Sequence, residues 1–407
     1  MDSFTLTARW IFPVAAPPLE GGTIIVSGER IQAVEPRGVR SADLDLGNVA
    51  ILPGLVNAHT HLDLSGLKGR VASGKDFLGW LREVVHHRRS LSPEQTTKDI
   101  QAGIAECIKY GTTLVGDISS QGLSWPLLVE SPLRSVVFYE LLGLPQDRAE
   151  RAEREARAWL EGHPATPTCK PGLSPHAPYS VRASLFEAAF QMARSHQLPL
   201  ATHLAETREE LELLEHHRGP FVDFLSELGV WDPEGLVRHP KDILRQSSLL
   251  PNLLVIHGNY LSDHSSLITH HSSLTHHSPT VIYCPRTHAS FGHDGHPFRE
   301  ILAKGGRIVL ATDSLASNPD LDLLAEARFI HRSYPDVPGE SLLRMITLSG
   351  ADALGWEQET GSLIPGKSAD LVVLPLPPND VLDPHSLIFE SSSQVDKVMC
   401  LGRWLHS

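Results

Sequence analysis

The sequence predicts an α/β fold, a closed (β/α)8 TIM barrel with a small flanking β-sandwich domain formed by both termini. Three observations lead there. From about residue 50 to 350, apolar runs with strand character alternate with helical patterns, as parallel βαβ units require. Eight such runs can be counted, the number that closes a barrel. Residues 1–48 and 360–407 instead show short alternating runs separated by Gly and Pro, with little helix. The expected division is therefore a barrel over 49–359 and a composite β domain from 1–48 plus 360–407. A doubly wound open sheet would also explain the alternation, but not where the polar residues fall.

In order, the eight runs are Val49–Val56, Thr113–Asp117, Ser135–Leu142, Gly172–Pro175, Leu198–Thr202, Leu253–Ile256, Thr280–Tyr283 and Arg307–Ala311. Between them, Glu94–Tyr110, Asp147–Trp159, Ala183–His196 and Leu321–His331 repeat apolar residues at helical spacing. The charged stretch Arg148–Trp159 reads as a solvated outer helix face. In the terminal parts, Gly22–Ser27, Ala369–Leu374 and Lys397–Leu401 alternate as half-buried strands do.

Composition narrows the function. The 407 residues have ordinary globular apolar and charged fractions, and no run approaches a membrane span. No basic segment followed by a long apolar stretch opens the chain, so a cytoplasmic protein is expected. A formal charge of −13 argues against binding along a nucleic-acid backbone, which needs many Lys and Arg contacts. The expected partner is a small molecule, with no membrane and no nucleic acid, and homo-oligomerisation is left open. Four scattered cysteines form no Cys-x-x-Cys, so neither a disulfide framework nor a thiolate zinc knuckle is indicated. His270, His271, His276 and His277 lie in a Ser/Thr-rich stretch without a strand to fix them, and read as a loop or solvated helix.

The polar exceptions fall at strand ends. Barrel enzymes draw catalytic residues from the C-terminal ends of their strands, which meet at one mouth. His59 and His61 close the first run, two apart and so on one face of a strand; His176 follows the fourth, and His203 with Glu206 the fifth. His257 ends the sixth and Asp313 the eighth. Neutral imidazoles with one carboxylate suit a single divalent metal, zinc ahead of ferrous iron, with a position left open for water. His59, His61, His203 and Asp313 are the candidate ligands. Bound zinc brings the pKa of water from 15.7 to about 7, so a hydroxide becomes available at neutral pH. Glu206, just before the capping-box spacing Thr207-x-x-Glu210, is placed at the mouth as proton shuttle. His257 would polarise the water or hold substrate, and Asp313 would accept a second proton. A dinuclear site would call for a lysine or bridging carboxylate at the end of the fourth strand, where none is found; Lys170 sits at that strand's start.

Other motifs are absent or misleading. His-Glu-x-x-His, Pro-Cys-x-x-Cys and Gly-x-Ser-x-Gly do not occur. Gly361–Ser368 matches the phosphate-loop pattern letter by letter, yet a strand follows it where that loop must open a helix.

With these pieces in place the chain resembles the amidohydrolase superfamily, in the branch of metal-dependent deaminases and chlorohydrolases that includes S-adenosylhomocysteine, methylthioadenosine and aminodeoxyfutalosine deaminases. The resemblance is carried by Pro53-Gly-Leu-Val-Asn-Ala-His-Thr-His61, Ser174-Pro-His-Ala-Pro-Tyr179, Thr202-His-Leu-Ala-Glu206, Ile256-His257, Ala311-Thr-Asp-Ser314 and Gly361–Leu371, in family order. It implies a metal-centred barrel with His59, His61, His203 and Asp313 as ligands, Glu206 and His257 as catalytic groups and His176 as a substrate contact. Two segments depart from it. In the adenosyl deaminases a glutamate downstream of the tryptophan matching Trp80 holds the ribose hydroxyls, whereas this chain has an arginine by spacing, in Arg88-Arg89. After the seventh strand it has Arg286 and His288 where those relatives usually show Ser-Asn. Trp80, Arg286 and His288 thus join His176 as candidate substrate contacts. An anionic substituent on the substrate would account for the added cations; a solvated basic helix face would account for Arg88 and Arg89 equally well.

The resulting expectation is a hydrolase acting on non-peptide carbon–nitrogen bonds: metal hydroxide attacks an amino-bearing carbon of a purine nucleoside or related N-heterocycle, and ammonia leaves. Cyclic amide or carbon–halogen hydrolysis at the same metal is the alternative reaction. A metal-binding scaffold without turnover is the third reading, which a full set of acid, base and ligands argues against.

Overall fold

Gly54 divides the first apolar run into two strands that serve different sheets. In the computed structural model, which describes residues 3–71, 74, 76–246, 250, 252–261, 278–379 and 381–405, Val49–Pro53 lies antiparallel to Leu371–Pro375 in the flanking sandwich. Leu55–Thr60 then starts the barrel. The single strand expected over Val49–Val56 is corrected accordingly. At the crossing, a Cβ on Gly54 would stand 2.0 Å from Thr113 Oγ1, so only glycine passes between the two sheets there. A continuous apolar run gives no sign of this change of partner, because both halves are buried.

The barrel strands, numbered in chain order, are β1 (Leu55–Thr60), β2 (Thr112–Ser120), β3 (Arg134–Leu141), β4 (Cys169–Pro175), β5 (Leu200–Leu204), β6 (Leu253–His257), β7 (Thr280–Tyr283) and β8 (Arg307–Leu310). All pair in parallel with their sequence neighbours. Apolar side chains such as Val56, Leu114, Phe138, Ala201, Ile256 and Val309 fill one core cluster from successive strands, which is how a barrel interior is packed. The last and first strands meet just beyond β8. There the Asn57 side-chain amide donates to Thr312 Oγ1 at 2.7 Å, and the Asp313 N–H donates to the His59 carbonyl at 3.2 Å. Closing the barrel in this way sets Asp313 beside His59.

Helices follow the expected periodicity. Four concern the site: α1 (Phe77–Ser90), α2 (Gln146–Gly162), α3 (Arg208–His216) and α4 (Leu323–Ser333). Ala149, Ala152, Ala156 and Trp159 turn one face of α2 to the core. The sandwich consists of a four-stranded sheet (Ser3–Thr7, Thr23–Ser27, Arg30–Glu35, Leu44–Asp45) and a six-stranded sheet containing Val49–Pro53, Leu371–Pro375 and Lys397–Cys400. Leu6, Ile24, Ile51, Leu371 and Met399 form the core between them. No described helix is long and apolar enough to cross a membrane. Lys367 is buried and donates to the Thr360 carbonyl and Ser362 Oγ, so the phosphate-loop lookalike is a packed turn. His270, His271, His276 and His277 lie outside the described residues.

Candidate metal and active site

The strand-end residues converge. His59, His61, His203, His257 and Asp313 are all buried, and two groups bring one ligand atom each within 4.8 Å of one another: His59 with His203 and His257, and His59 with His61 and Asp313. His61 Nε2 faces His203 Nε2 at 3.4 Å, and His59 Nε2 lies 3.4 Å from Asp313 Oδ1. Donors held at 2.0–2.1 Å from a tetrahedral ion stand about 3.4 Å apart, so both separations fit one zinc-sized cation. Neither ring nitrogen of His59, which is fully buried, makes a hydrogen bond among the described residues. A buried imidazole so placed is costly unless something else takes its lone pair.

Electrostatics favour the same state. Burial pushes His61, His203 and His257 well below the ordinary histidine range, so they are neutral and able to ligate at physiological pH. For Asp313, burial alone would raise the carboxyl, but the imidazoles of His59 and His257 beside it hold it well below its usual value. Ser317 Oγ donates to Asp313 Oδ2 at 2.6 Å and the His203 ring is oriented by its Nδ1 contact with the His176 carbonyl at 3.0 Å, the outer hydrogen bonds that such ligands need.

The backbone is strained to achieve this. Ala205, His257 and Asp313 adopt left-handed conformations with φ of 52°, 64° and 61° at the ends of β5, β6 and β8. Such conformations cost roughly 1–3 kcal/mol each and cluster at functional sites. Hydrogen bonds over-determine them: His296 Nε2 contacts the His257 carbonyl at 2.8 Å, and Asn259 Nδ2 donates to the Glu206 carbonyl at 2.9 Å. The capping box is present, with Thr207 Oγ1 accepting from the Glu210 N–H. Its Glu210 carboxylate also reaches further back, accepting from the N–H groups of Ala205 and Glu206. Glu206 is thereby fixed on both sides, with Oε1 3.2 Å from His257 Nε2. Burial, then the charges of Asp313 and Glu210, push its carboxyl well above the usual range.

A cavity of about 590 Å³ opens onto these groups. His61, His176, His203, Glu206, His257 and Asp313 form its floor; Phe77, Trp80, Tyr179 and Phe224 form an apolar wall. Trp80 is anchored by Nε1 donating to the Ala316 carbonyl. His176, whose Nδ1 contacts Ser180 Oγ, is pushed down to about 3, chiefly by burial. Arg89, Arg148 and Arg151 also line the cavity, so α2 does not present a purely solvated face.

Two expected contacts lie elsewhere. Arg286 does not line the cavity: its guanidinium is held by Glu326 at 2.6 Å and Asp320 at 2.6 Å, a structural clamp between the helix after β7 and α4. His288 is buried against Tyr283, His293 and His296 and does not line the cavity. Nor is Arg88 solvated: it bonds Asp63 through Nε and Nη2, and Glu140 through Nη1. Glu140 lines the cavity and escaped the sequence reading, although a lone acid at the end of an apolar strand is the same signal that marked the histidines.

Comparison with known proteins decides the family. The description "Amidohydrolase family" matches residues 50–405, nearly the entire chain. The chain belongs to the amidohydrolase family. It is 30% identical to a 5-methylthioadenosine/S-adenosylhomocysteine deaminase of Moorella thermoacetica over 97% of this chain and 92% of that one. An aminodeoxyfutalosine deaminase of Nitratiruptor is 29% identical over 81% of this chain and 80% of its own. Among solved structures, an aminofutalosine deaminase of Helicobacter pylori superposes with a TM-score of 0.84 and 25% identity over the whole of both chains. This amidohydrolase is accordingly a hydrolase of non-peptide carbon–nitrogen bonds, built on a (β/α)8 barrel.

Proposed function

We propose that this amidohydrolase deaminates an amino-substituted purine nucleoside or a closely related N-heterocycle, releasing ammonia. The observation that carries the reading is a buried carboxyl, Glu206, packed against His257 in a cavity whose floor is the imidazole–carboxylate cluster. The 5-methylthioadenosine/S-adenosylhomocysteine, aminodeoxyfutalosine and aminofutalosine deaminases matched over most of the chain support it.

His59, His61, His203 and Asp313 would hold one divalent ion, zinc by the nitrogen and oxygen character of the donors, with His257 within reach of the same ion. When bound, that ion supplies Lewis acidity and an activated water. The residues of the chain do the rest. Asp313 and His257 orient the water, and Glu206 takes its proton and delivers it to the ring nitrogen adjacent to the amino-bearing carbon. Oxygen adds to that carbon, Asp313 accepts the second proton of the water and passes it to the amino group, and the carbon–nitrogen bond breaks to release ammonia. His176 hydrogen-bonds the ring and Trp80 covers it. Arg148 makes no ion pair among the described residues, and with Arg89 and Arg151 it gives the outer cavity a preference for a negatively charged arm on the nucleoside.

The test is a screen of zinc-loaded protein against aminated purine nucleosides, with and without a carboxylate-bearing arm, reading out ammonia. Release from the nucleosides supports the assignment; turnover of cyclic amides or chlorinated heterocycles alone would replace it.

A further inference from the structure

The Glu206–His257 pair is held from both sides, and the two sides are built differently. Glu206 is tied at its backbone N–H by the Glu210 carboxylate and at its carbonyl by Asn259, so its backbone is pinned. His257 sits instead on a three-residue turn that the Gly258 N–H closes on the Ile256 carbonyl at 3.0 Å, with φ of 64° at the centre. That left-handed γ form is rare and strained, and a residue stays in it only where its surroundings over-determine it. Relaxing the turn would swing the imidazole away from Glu206, whose Oε1 is 3.2 Å from His257 Nε2.

His296 meets the carbonyl that leaves this turn. Its Nε2 lies 2.8 Å from the His257 oxygen, while its Nδ1 accepts from the Phe298 N–H at 3.0 Å. An amide N–H can only donate and a carbonyl can only accept, so the neutral ring carries its proton on Nε2. Burial keeps it neutral, pushing it down to about 3. Nor can the imidazole turn: it stacks on Tyr283 of β7 with centroids 3.8 Å and planes 18° apart, and His288 stands edge-on at 5.7 Å. His296 does not line the cavity, so any effect it has on the reaction passes through His257. We propose that His296 is a positioning residue, a rigid donor that holds His257 in its strained turn and so keeps the imidazole on Glu206 for proton transfer. This rests on the role given to that pair in the deamination above.

The experiment compares His296→Gln, which keeps a donor near the place of Nε2, with His296→Phe, which keeps a ring to stack on Tyr283 but no donor. On zinc-loaded protein and a responsive aminated nucleoside, His296→Phe should lower kcat for ammonia release about 10- to 100-fold, with KM changed less than about threefold, because misplacing a reacting group by about 1 Å costs up to that much. Glutamine should recover most of kcat, although it stacks less well. The reverse order at equal metal content, with Phe active and Gln impaired, would show a packing role and overturn the proposal; so would wild-type kcat in both. A measurement on the wild-type protein is independent of how either variant folds: 15N spectra of the metal-free form at neutral pH should show His296 protonated at Nε2 and bare at Nδ1, and the opposite tautomer would overturn the proposal. Wild-type protein that releases no ammonia from any nucleoside would instead remove the deamination reading, and this inference with it.

Discussion

Replacing Glu206 by Gln changes the one group placed to move protons while leaving its shape almost unaltered. The side chain is 7% exposed, its carboxyl lies 3.2 Å from His257 Nε2, and its backbone is fixed by Glu210 and Asn259. Glutamine can keep a hydrogen bond to His257 but cannot carry a proton from water to the ring. A positioned general acid–base group contributes about 10²- to 10⁴-fold, or roughly 3–5 kcal/mol of transition-state stabilisation. We therefore expect kcat for ammonia release to fall by about that factor, with KM changed less than about threefold, since binding groups are untouched. Glu206 belongs to neither ligand group, so metal content should remain at the wild-type level. Steady-state ammonia release, with metal analysis of the same sample, checks both. Full activity in Glu206→Gln would refute the proton-transfer role, and loss of the metal together with activity would make Glu206 a ligand instead.

Three further outcomes are expected. Gly54→Ala drives a Cβ into Thr113 between barrel and sandwich and should cost about 1–3 kcal/mol, read as a lowered midpoint in denaturant; an unchanged midpoint would contradict the close crossing. Arg286→Met strands the fully buried Glu326 and should destabilise by about 3 kcal/mol without raising KM, whereas a large KM effect in folded protein would return Arg286 to the substrate site. Burial raises the Glu210 carboxyl from 4.5 to about 7, so its protonated form favours the fold. That contribution is full below pH 4.5 and is lost as pH rises through about 7, on the order of 3 kcal/mol. Wild-type stability should then fall more between pH 5 and pH 8 than that of Glu210→Gln; equal slopes would contradict the shift.

The floor of the site was legible because of one rule: parallel barrel strands deliver their C-terminal residues to a common mouth. His59, His61, His203, His257 and Asp313 could be picked out as polar endings of apolar runs without knowing any distance. What was not legible depends on partners far apart in sequence. Arg286 looks like a substrate cation until Glu326, 40 residues later, is seen to neutralise it. Arg88 looks solvated until Asp63 and Glu140 close on it from either side, 25 and 52 residues away. Gly54 sits inside an unbroken apolar run, and only the packing of Thr113 shows that the chain changes sheets there. The left-handed turns at Ala205, His257 and Asp313 leave no trace in composition either, since tertiary hydrogen bonds impose them on residues that would not choose them.

The most direct test of a single metal centre driving deamination is a titration: protein stripped with chelator is reloaded with zinc in steps, and ammonia release from a responsive nucleoside is followed at each step. The rate should rise from near zero in proportion to bound zinc and level off at about one ion per chain, as one cluster built around His59 requires. Activity that persists without metal, or that grows until two ions are bound, would contradict it.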